Sequence, residues 1–517
     1  MKVKLYTAVS LIILLILVKG CISNRGIGLT DSDQLVIIQE NLPPHLDPVR
    51  SSSYENVLPL TGIYEGLVKL NPETLSPEPC LAESWKVSGE GKRLTFYLKP
   101  GIRFGDGTEC NANAVKASMI RSMALKDEEP YASFVFSPVE SIETEGNNTI
   151  TFNLKYPFAP FLKNLALPFA APLVSPTAFG KYGEDFWEHP SGTGPYMVSQ
   201  YKKNKIVLQA NPYFRGEPAP LKKILFIEEK DPLERTKKLL SKKGDIIFYP
   251  GGKNVEKLRM DGMKIVSVPG LDISYLGFYT DKPPFNNRLL RSAVAGVLDR
   301  EKIVSEVLEG EAIPALSILP PALSTHKSNL TRYTPDHVRN TLNRLGYPGG
   351  IDITLITYKD SRRYSITGGK VLAEEIKKQL EPAGIRIKII EKSWDEHKSA
   401  IQNREGDLFL FGWTGDNSDP DNFMYTLFSS TQVNQGLNTS RFKDPKLDVY
   451  LVTARRVTDP KARQLLYKEA ESIIMSQMPV VPLSHSIIRI AALPEVQGIY
   501  SSGFGLIDLY SIKKSQQ

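Results

Sequence analysis

The run Asp407-Leu408-Phe409-Leu410-Phe411 leads directly into Gly412-Trp413-Thr414-Gly415-Asp416-Asn417-Ser418-Asp419-Pro420-Asp421-Asn422-Phe423. The segment Met424-Tyr425-Thr426-Leu427-Phe428 follows. The order reads as a buried strand, a loop dense in glycine, aspartate and asparagine, and a helix. Loops held by a rigid scaffold are where binding groups collect. Asp and Asn also close turns by bonding their own backbone, so the stretch by itself fits either a site or an ordinary turn. The rest of the chain has to decide between them.

The helix after Asp419-Pro420 has company. Strand-like runs at Lys223 to Glu229, Asp245 to Tyr249, Ile351 to Tyr358 and Ile385 to Glu391 alternate with helix-like runs at Arg288 to Val297, Val371 to Leu380 and Lys461 to Met475. That alternation predicts an α/β fold. In the helix from Pro460, the residues Ala462, Leu465, Leu466, Ala470, Ile473 and Ile474 predict a core-facing stripe. Leu81 to Ser88 and Arg93 to Lys99, joined by Gly89-Glu90-Gly91-Lys92, predict a hairpin. Asn113 is a candidate cap for a helix through Arg121.

The first twenty residues are read apart from the fold. Lys2 and Lys4 precede an apolar run from Leu11 to Val18, which is too short to span a bilayer, a task that needs ~20 residues. Val18-Lys19-Gly20-Cys21 ends that run. A leader closing on a small residue and Cys resembles a bacterial lipobox, which implies lipidation at Cys21 and cleavage before it. Residues 21–33 then form a tether, and the mature body is expected outside the cytoplasmic membrane, held by lipid. The formal net charge is +7, and Lys2, Lys4 and Lys19 lie in the leader, which leaves +4 for the rest. So small a bias, spread along the chain, argues against nucleic acid. Cys80 and Cys110 remain; in an exported chain such a pair invites a disulfide, or else stays as two buried thiols.

Several pieces, in order, resemble the bacterial extracellular solute-binding proteins of family 5, which serve peptide and nickel transporters. They are Leu81-Ala82-Glu83-Ser84-Trp85, Phe96 to Phe104, Asp106-Gly107, Asn111-Ala112, Pro157 to Leu162, Gly192 to Tyr196, Pro283 to Val294 and Asp299 to Val304. The stretch Gly412 to Phe423 is similar to the corresponding loop of the dipeptide-binding members. The resemblance implies a type II periplasmic binding protein fold, with two α/β lobes, a hinge and an extra subdomain on lobe one. Lobe one is expected at 34–270 plus 484–517, with about 52–189 as the subdomain, and lobe two at 271–483. Gly270 to Gly277 and Pro479 to His485 are the expected crossings.

The resemblance also implies roles. One Asp at the end of the strand holds a peptide's ammonium, and this falls on Asp416. One Arg holds the α-carboxylate, and this falls on Arg362 in Ser361-Arg362-Arg363-Tyr364, with Arg363 as its competitor by composition. Tyr364, Gly412, Trp413, Thr414 and Gly415 accompany them in the expected site. Trp413 fits a core position as well as a cleft wall, Asp419 and Asp421 fit helix caps, and Tyr131 and Phe134 are candidates for the opposite wall. The physics agrees with such a pair. A zwitterion entering a closed cleft sheds water at both ends, and an unpaired buried charge costs several kcal/mol.

Enzyme readings find little to stand on. His45, His189, His326, His337, His397 and His485 are scattered, and no phosphate-binding loop or nucleophile elbow occurs. Asp416, Asp419 and Asp421 fail the calcium-loop spacing, which lacks its closing Glu. The expectation is therefore a monomeric, cofactor-free and metal-free binding protein for short peptides, working with an ABC permease and ATPase. Haem, nickel chelates, oligosaccharides and antimicrobial peptides are the alternative ligands among family members. A sensor or adhesin lipoprotein is the alternative class.

Overall fold

The computed structural model describes residues 31–50, 56–125, 134–324, 330–434 and 436–515. The leader, Cys21 and Tyr131 lie outside them.

The molecule is built along one strand. Val480–Ala492 runs antiparallel to Asp272–Phe278 through its first half, and to Ile246–Phe248 and Lys264–Pro269 through its second. It thereby joins two half-sheets into a single 12-stranded sheet among the described residues. On one side Gln34–Gln39 lies parallel to both Lys223–Glu228 and Ile246–Phe248, and the hairpin Tyr196–Lys202 and Lys205–Ala210 extends the edge. On the other, Leu408–Thr414 pairs antiparallel with Asp272–Phe278 and parallel with Ile351–Tyr358, which pairs parallel with Ile385–Lys392. Parallel strands require crossover helices that cover both faces. Gly369–Leu380 and Trp394–Gln402 supply them here.

The buried apolar residues segregate accordingly. One cluster draws on Leu35 through Leu271 and on Ile488 through Ile512. Two others draw on Ile273 through Leu483. The polypeptide passes between them twice, at Pro269–Asp272 and within Val480–Ala492. A separate four-stranded antiparallel sheet, containing Ala82–Ser88 and Arg93–Leu98, packs into the first cluster. The hairpin turn falls where the glycines predict it, with Gly89 and Gly91 at φ 58° and 90°.

Helix starts follow local chemistry closely. Asp231-Pro232, Asp419-Pro420, Asp444-Pro445 and Asp459-Pro460 each open a helix, the Asp side chain accepting a backbone N–H and Pro occupying the first turn. Three expectations need correction. The helix at Ala112–Ala124 is capped by Asn111, whose side chain accepts from the Ala114 N–H. Asn113 lies inside that helix and accepts from Thr144 Oγ1 instead. In Pro460–Gln477 the buried face is Tyr467, Ala470, Glu471, Ile474 and Met475, while Leu465 is 65% exposed. The expected stripe holds at Ala470 and Ile474, with Leu466 and Ile473 partly buried against the core, but the buried face extends to Glu471, to which Ser317 and Ser324 both donate. Lastly, the pair Cys80 and Cys110 is not bridged; both are buried free thiols. Cys80 donates to Glu65, whose carboxylate is held by Arg215, and burial pushes both thiols up to about 12.

Candidate functional site

The site strand is longer than its apolar run. Gly412, Trp413 and Thr414 continue the ladder, opposite Ser274, Ile273 and Asp272, so the loop proper begins at Gly415. Gly415 donates to Leu271 O at 2.7 Å, which fixes the strand end against the crossing segment. A Cβ on Gly412 would strike the ring of Tyr364, so this glycine is what lets the buried tyrosine lie flat on the strand. Tyr364 in turn meets Tyr358 edge-on at 6.3 Å.

Asp416 is oriented by a residue the sequence reading passed over. Asn422 donates from Nδ2 to Asp416 Oδ2 at 3.2 Å. Its Oδ1 accepts from the Trp413 indole at 2.8 Å and from the Asp416 N–H at 3.3 Å. One amide thus ties together Trp413 at the strand end and both the backbone and the carboxylate of Asp416. Trp413 is half-buried and packs against the core behind it.

Past Asp416 the loop belongs to a charge network. Asp419 caps the helix and is fully buried, and Arg463 grips both its oxygens at 2.9 and 3.0 Å. Burial pushes its pKa up, but Arg463 and Lys163 outweigh that and hold the carboxyl below its ordinary value. Asp421 lies 3.2 Å from Arg455, and burial, with Asp419 nearby, pushes it up to about 6. Capping by Asp419 follows from the sequence; its ion pair with a helix more than forty residues later does not. The first half of the molecule closes over this loop. Lys163 donates to Ser418 O at 2.7 Å, Asn417 to Asn164 at 2.5 Å, and Ser418 Oγ to Leu75 O at 3.2 Å.

Arg362 and Arg363, equal by composition, have separate surroundings. Arg363 is 7% exposed, lies 3.8 Å from fully buried Asp272, and donates to Gly503 O at 3.0 Å. Asp272 also accepts from the backbone N–H and hydroxyl of Ser486, so Arg363 is bound into the place where the two crossings meet. Arg362 lies with its guanidinium 3.8 Å from the ring centroid of Trp394, and its ion pair is a long one, 4.0 Å to Asp360. Trp394 stacks on Phe411 of the site strand at 5.5 Å. Beneath them His397 is completely buried; its Nε2 meets Leu410 O at 2.9 Å, and burial lowers its titration to about 4. Trp394 had no signal in the sequence, since it opens an ordinary capping-box helix after Ser393.

A cavity of about 520 Å³ lies between the halves of the molecule. Arg362 lines it from one side, and Leu58, Phe248 and Tyr249 from the other. Ser361 and Arg363 border it too, whereas Asp416, Trp413, Tyr364, Gly412, Thr414 and Gly415 do not. The expected residues therefore form two groups, one at the strand end and one at the cavity wall. Phe134 packs on the first core cluster and is not among the cavity's lining residues. Among the described residues no cluster of three or more His, Cys, Asp or Glu is placed to hold a metal, and no helix is long and apolar enough to cross a membrane.

Two lobes, a doubly crossed junction and a cavity between them define an extracellular solute-binding protein. The family described as "Bacterial extracellular solute-binding proteins, family 5 Middle" matches residues 76–435, and the chain belongs to it. Its fold is the type II periplasmic binding protein fold. Over 462 residues it is 29% identical to the Dipeptide-binding protein of Escherichia coli strain K12, covering 84% of this chain and 86% of that one. It is also 29% identical to Heme-binding protein A of Haemophilus influenzae, over 87% of this chain and 86% of that protein. A dipeptide-binding protein from Pseudoalteromonas sp. SM9913, solved in complex with Met-Leu, superposes with a TM-score of 0.77 at 27% identity, over 93% of this chain and 100% of that one.

Proposed function

We propose that this chain is the substrate-binding lipoprotein of an ABC importer for short, dipeptide-like peptides. Cys21 carries the lipid anchor, and a membrane permease with its ATPase receives the ligand. Residues 34–270 with 484–517, including the subdomain at 52–189, act as one lobe and 271–483 as the other, closing by hinge motion. Closure is driven by contacts that the ligand makes better in the closed state.

The observation that carries this reading is the situation of Arg362. Its guanidinium borders the interlobe cavity, is braced by Trp394, and its ion pair with Asp360 is a long one at 4.0 Å. A planar fork so placed suits a carboxylate, which it can bond through both oxygens. Asp416, oriented by Asn422, takes the ammonium. Trp413 and Tyr364 shape the site, and Gly412, Thr414 and Gly415 carry its backbone. Relatives named for dipeptides, one of them solved with Met-Leu, support the choice of ligand.

Calorimetric titration with Ala-Ala and with N-acetyl-Ala-Ala tests the reading. The free dipeptide binds, and acetylation weakens it by ~30-fold or more, since leaving one member of a buried charge pair without its partner costs about 2–5 kcal/mol. Equal affinity for both removes the role of Asp416. A second reading, haem, rests on the relative named Heme-binding protein A. Mixing with haem separates the two, because a new Soret band together with indifference to peptides would favour it.

A further inference from the structure

We propose that the cavity beside Arg362 is a chamber for the side chain of the ligand's carboxyl-terminal residue, and that it selects large apolar or aromatic groups there. This rests on the peptide reading above and adds to it a direction and a side-chain class.

The direction follows from the unequal ends of the site. Beyond Asp416 the loop is bolted to the first lobe through Leu75, Lys163 and Asn164, and Asp419 is sealed by Arg463. Nothing at that end borders the cavity. At the other end Arg362 opens onto about 520 Å³. Volumes of roughly 300–1,000 Å³ are typical of built ligand sites, whereas the backbone of a dipeptide spans only ~7 Å. A ligand with its carboxylate on Arg362 therefore has spare room at its last residue.

The class follows from an account of the lining charges. Arg235 donates to four carbonyls, of Phe248, Glu229, Lys230 and Tyr249. Arg363 is engaged with Asp272 and Gly503. Glu311 lies 3.0 Å from Arg489, and Glu309 lies 2.7 Å from Lys253. Glu309 is itself exposed, as are Glu40 and Lys230. With the buried charges already committed to protein partners, the surface left to receive a side chain is uncharged: Leu58, Phe248, Tyr249, Ile366 and Ile487 form its apolar part, beside the neutral polar groups of Gln39, Asn41, Ser361, Thr367 and Ser486.

Purified protein is titrated with Ala-Ala, Ala-Phe, Phe-Ala, Ala-Lys and Ala-Glu. Ala-Phe is expected to bind ~10-fold or more tighter than Phe-Ala, Ala-Lys and Ala-Glu, the range that filling an apolar pocket supplies. Equal affinity for Ala-Phe and Phe-Ala, or preference for either charged peptide, overturns the chamber while the peptide reading stands. If no peptide binds, both fall. Ile366 is 41% exposed, so Ile366→Glu is tolerated by the fold, and a thermal melt checks this. It is expected to lower the Ala-Phe to Ala-Ala affinity ratio by ~5-fold or more as a charge enters an apolar wall. A ratio unchanged in folded protein overturns the assignment.

Discussion

The loop after the site strand and the loop carrying Arg362 are both short, polar and rich in charge, yet they are built in opposite ways. In the first, Asp419 and Asp421 are buried and matched by Arg463, Lys163 and Arg455, and the first lobe packs on top. In the second, Arg363 is matched by Asp272, while Arg362 is left resting on an aromatic face beside open volume. Buried charges that are matched hold a loop in place; a cation kept at a cavity wall with a weak acid partner is available to a ligand. The contrast teaches that charge density does not mark a binding group. The partners already present decide it.

The contrast can be broken from its stable side first. Arg463→Met leaves Asp419 buried with only Lys163, 3.9 Å away, and is expected to cost about 3–5 kcal/mol of folding stability. Urea denaturation measures this, and a loss below ~1 kcal/mol would mean that the network is not what holds the loop. On the other side Arg362→Met gives up a cation–π contact worth roughly 0.5–1 kcal/mol, so its denaturation midpoint hardly moves. Its affinity for Ala-Ala should nevertheless fall by ~30-fold or more, as for other truncated charge pairs. Comparable effects of the two variants on both readouts would dissolve the distinction.

The smallest effect concerns the floor beneath Arg362. His397 titrates near 4 in the folded protein against ~6.5 when unfolded. Between those values the unfolded chain binds more protons, so this group's stabilisation is present above pH 6.5 and is lost as pH falls toward 4. The loss amounts to about 2–3 kcal/mol. Wild type and His397→Gln are compared by urea denaturation at pH 7 and pH 4.5. The variant is expected to show the shallower decline; parallel declines would remove His397 as the cause.

Much of this was legible in the chain itself. Strand and helix succession, the Asp-Pro helix starts and the glycine turn at Gly89 to Gly91 are settled by near neighbours, so they can be read from the order of residues. The family motifs singled out Asp416 and Arg362, and the fold sets the first just past the strand end and the second on the cavity wall. Asn422 was missed as the anchor of Asp416 because an Asn inside a helix start has many uses, and only the fold selects one. Trp394 was missed because its partners, Arg362 and Phe411, are far from it in sequence and come from two other elements.

Asp231, Asp419 and Asp459 show the division most clearly. Sequence determines that each precedes a proline and caps a helix, since the bond from side chain to backbone N–H spans only two or three residues. Two of them stay exposed, and Asp419 is fully buried against Arg463. The difference comes from desolvation and from charges brought together across long separations, which local composition does not encode. In the same way the sequence supplied two adjacent arginines of equal standing. Both border the cavity, and only the packing of the crossing strands around Asp272 tied Arg363 to the junction and left Arg362 on an aromatic face with a long ion pair.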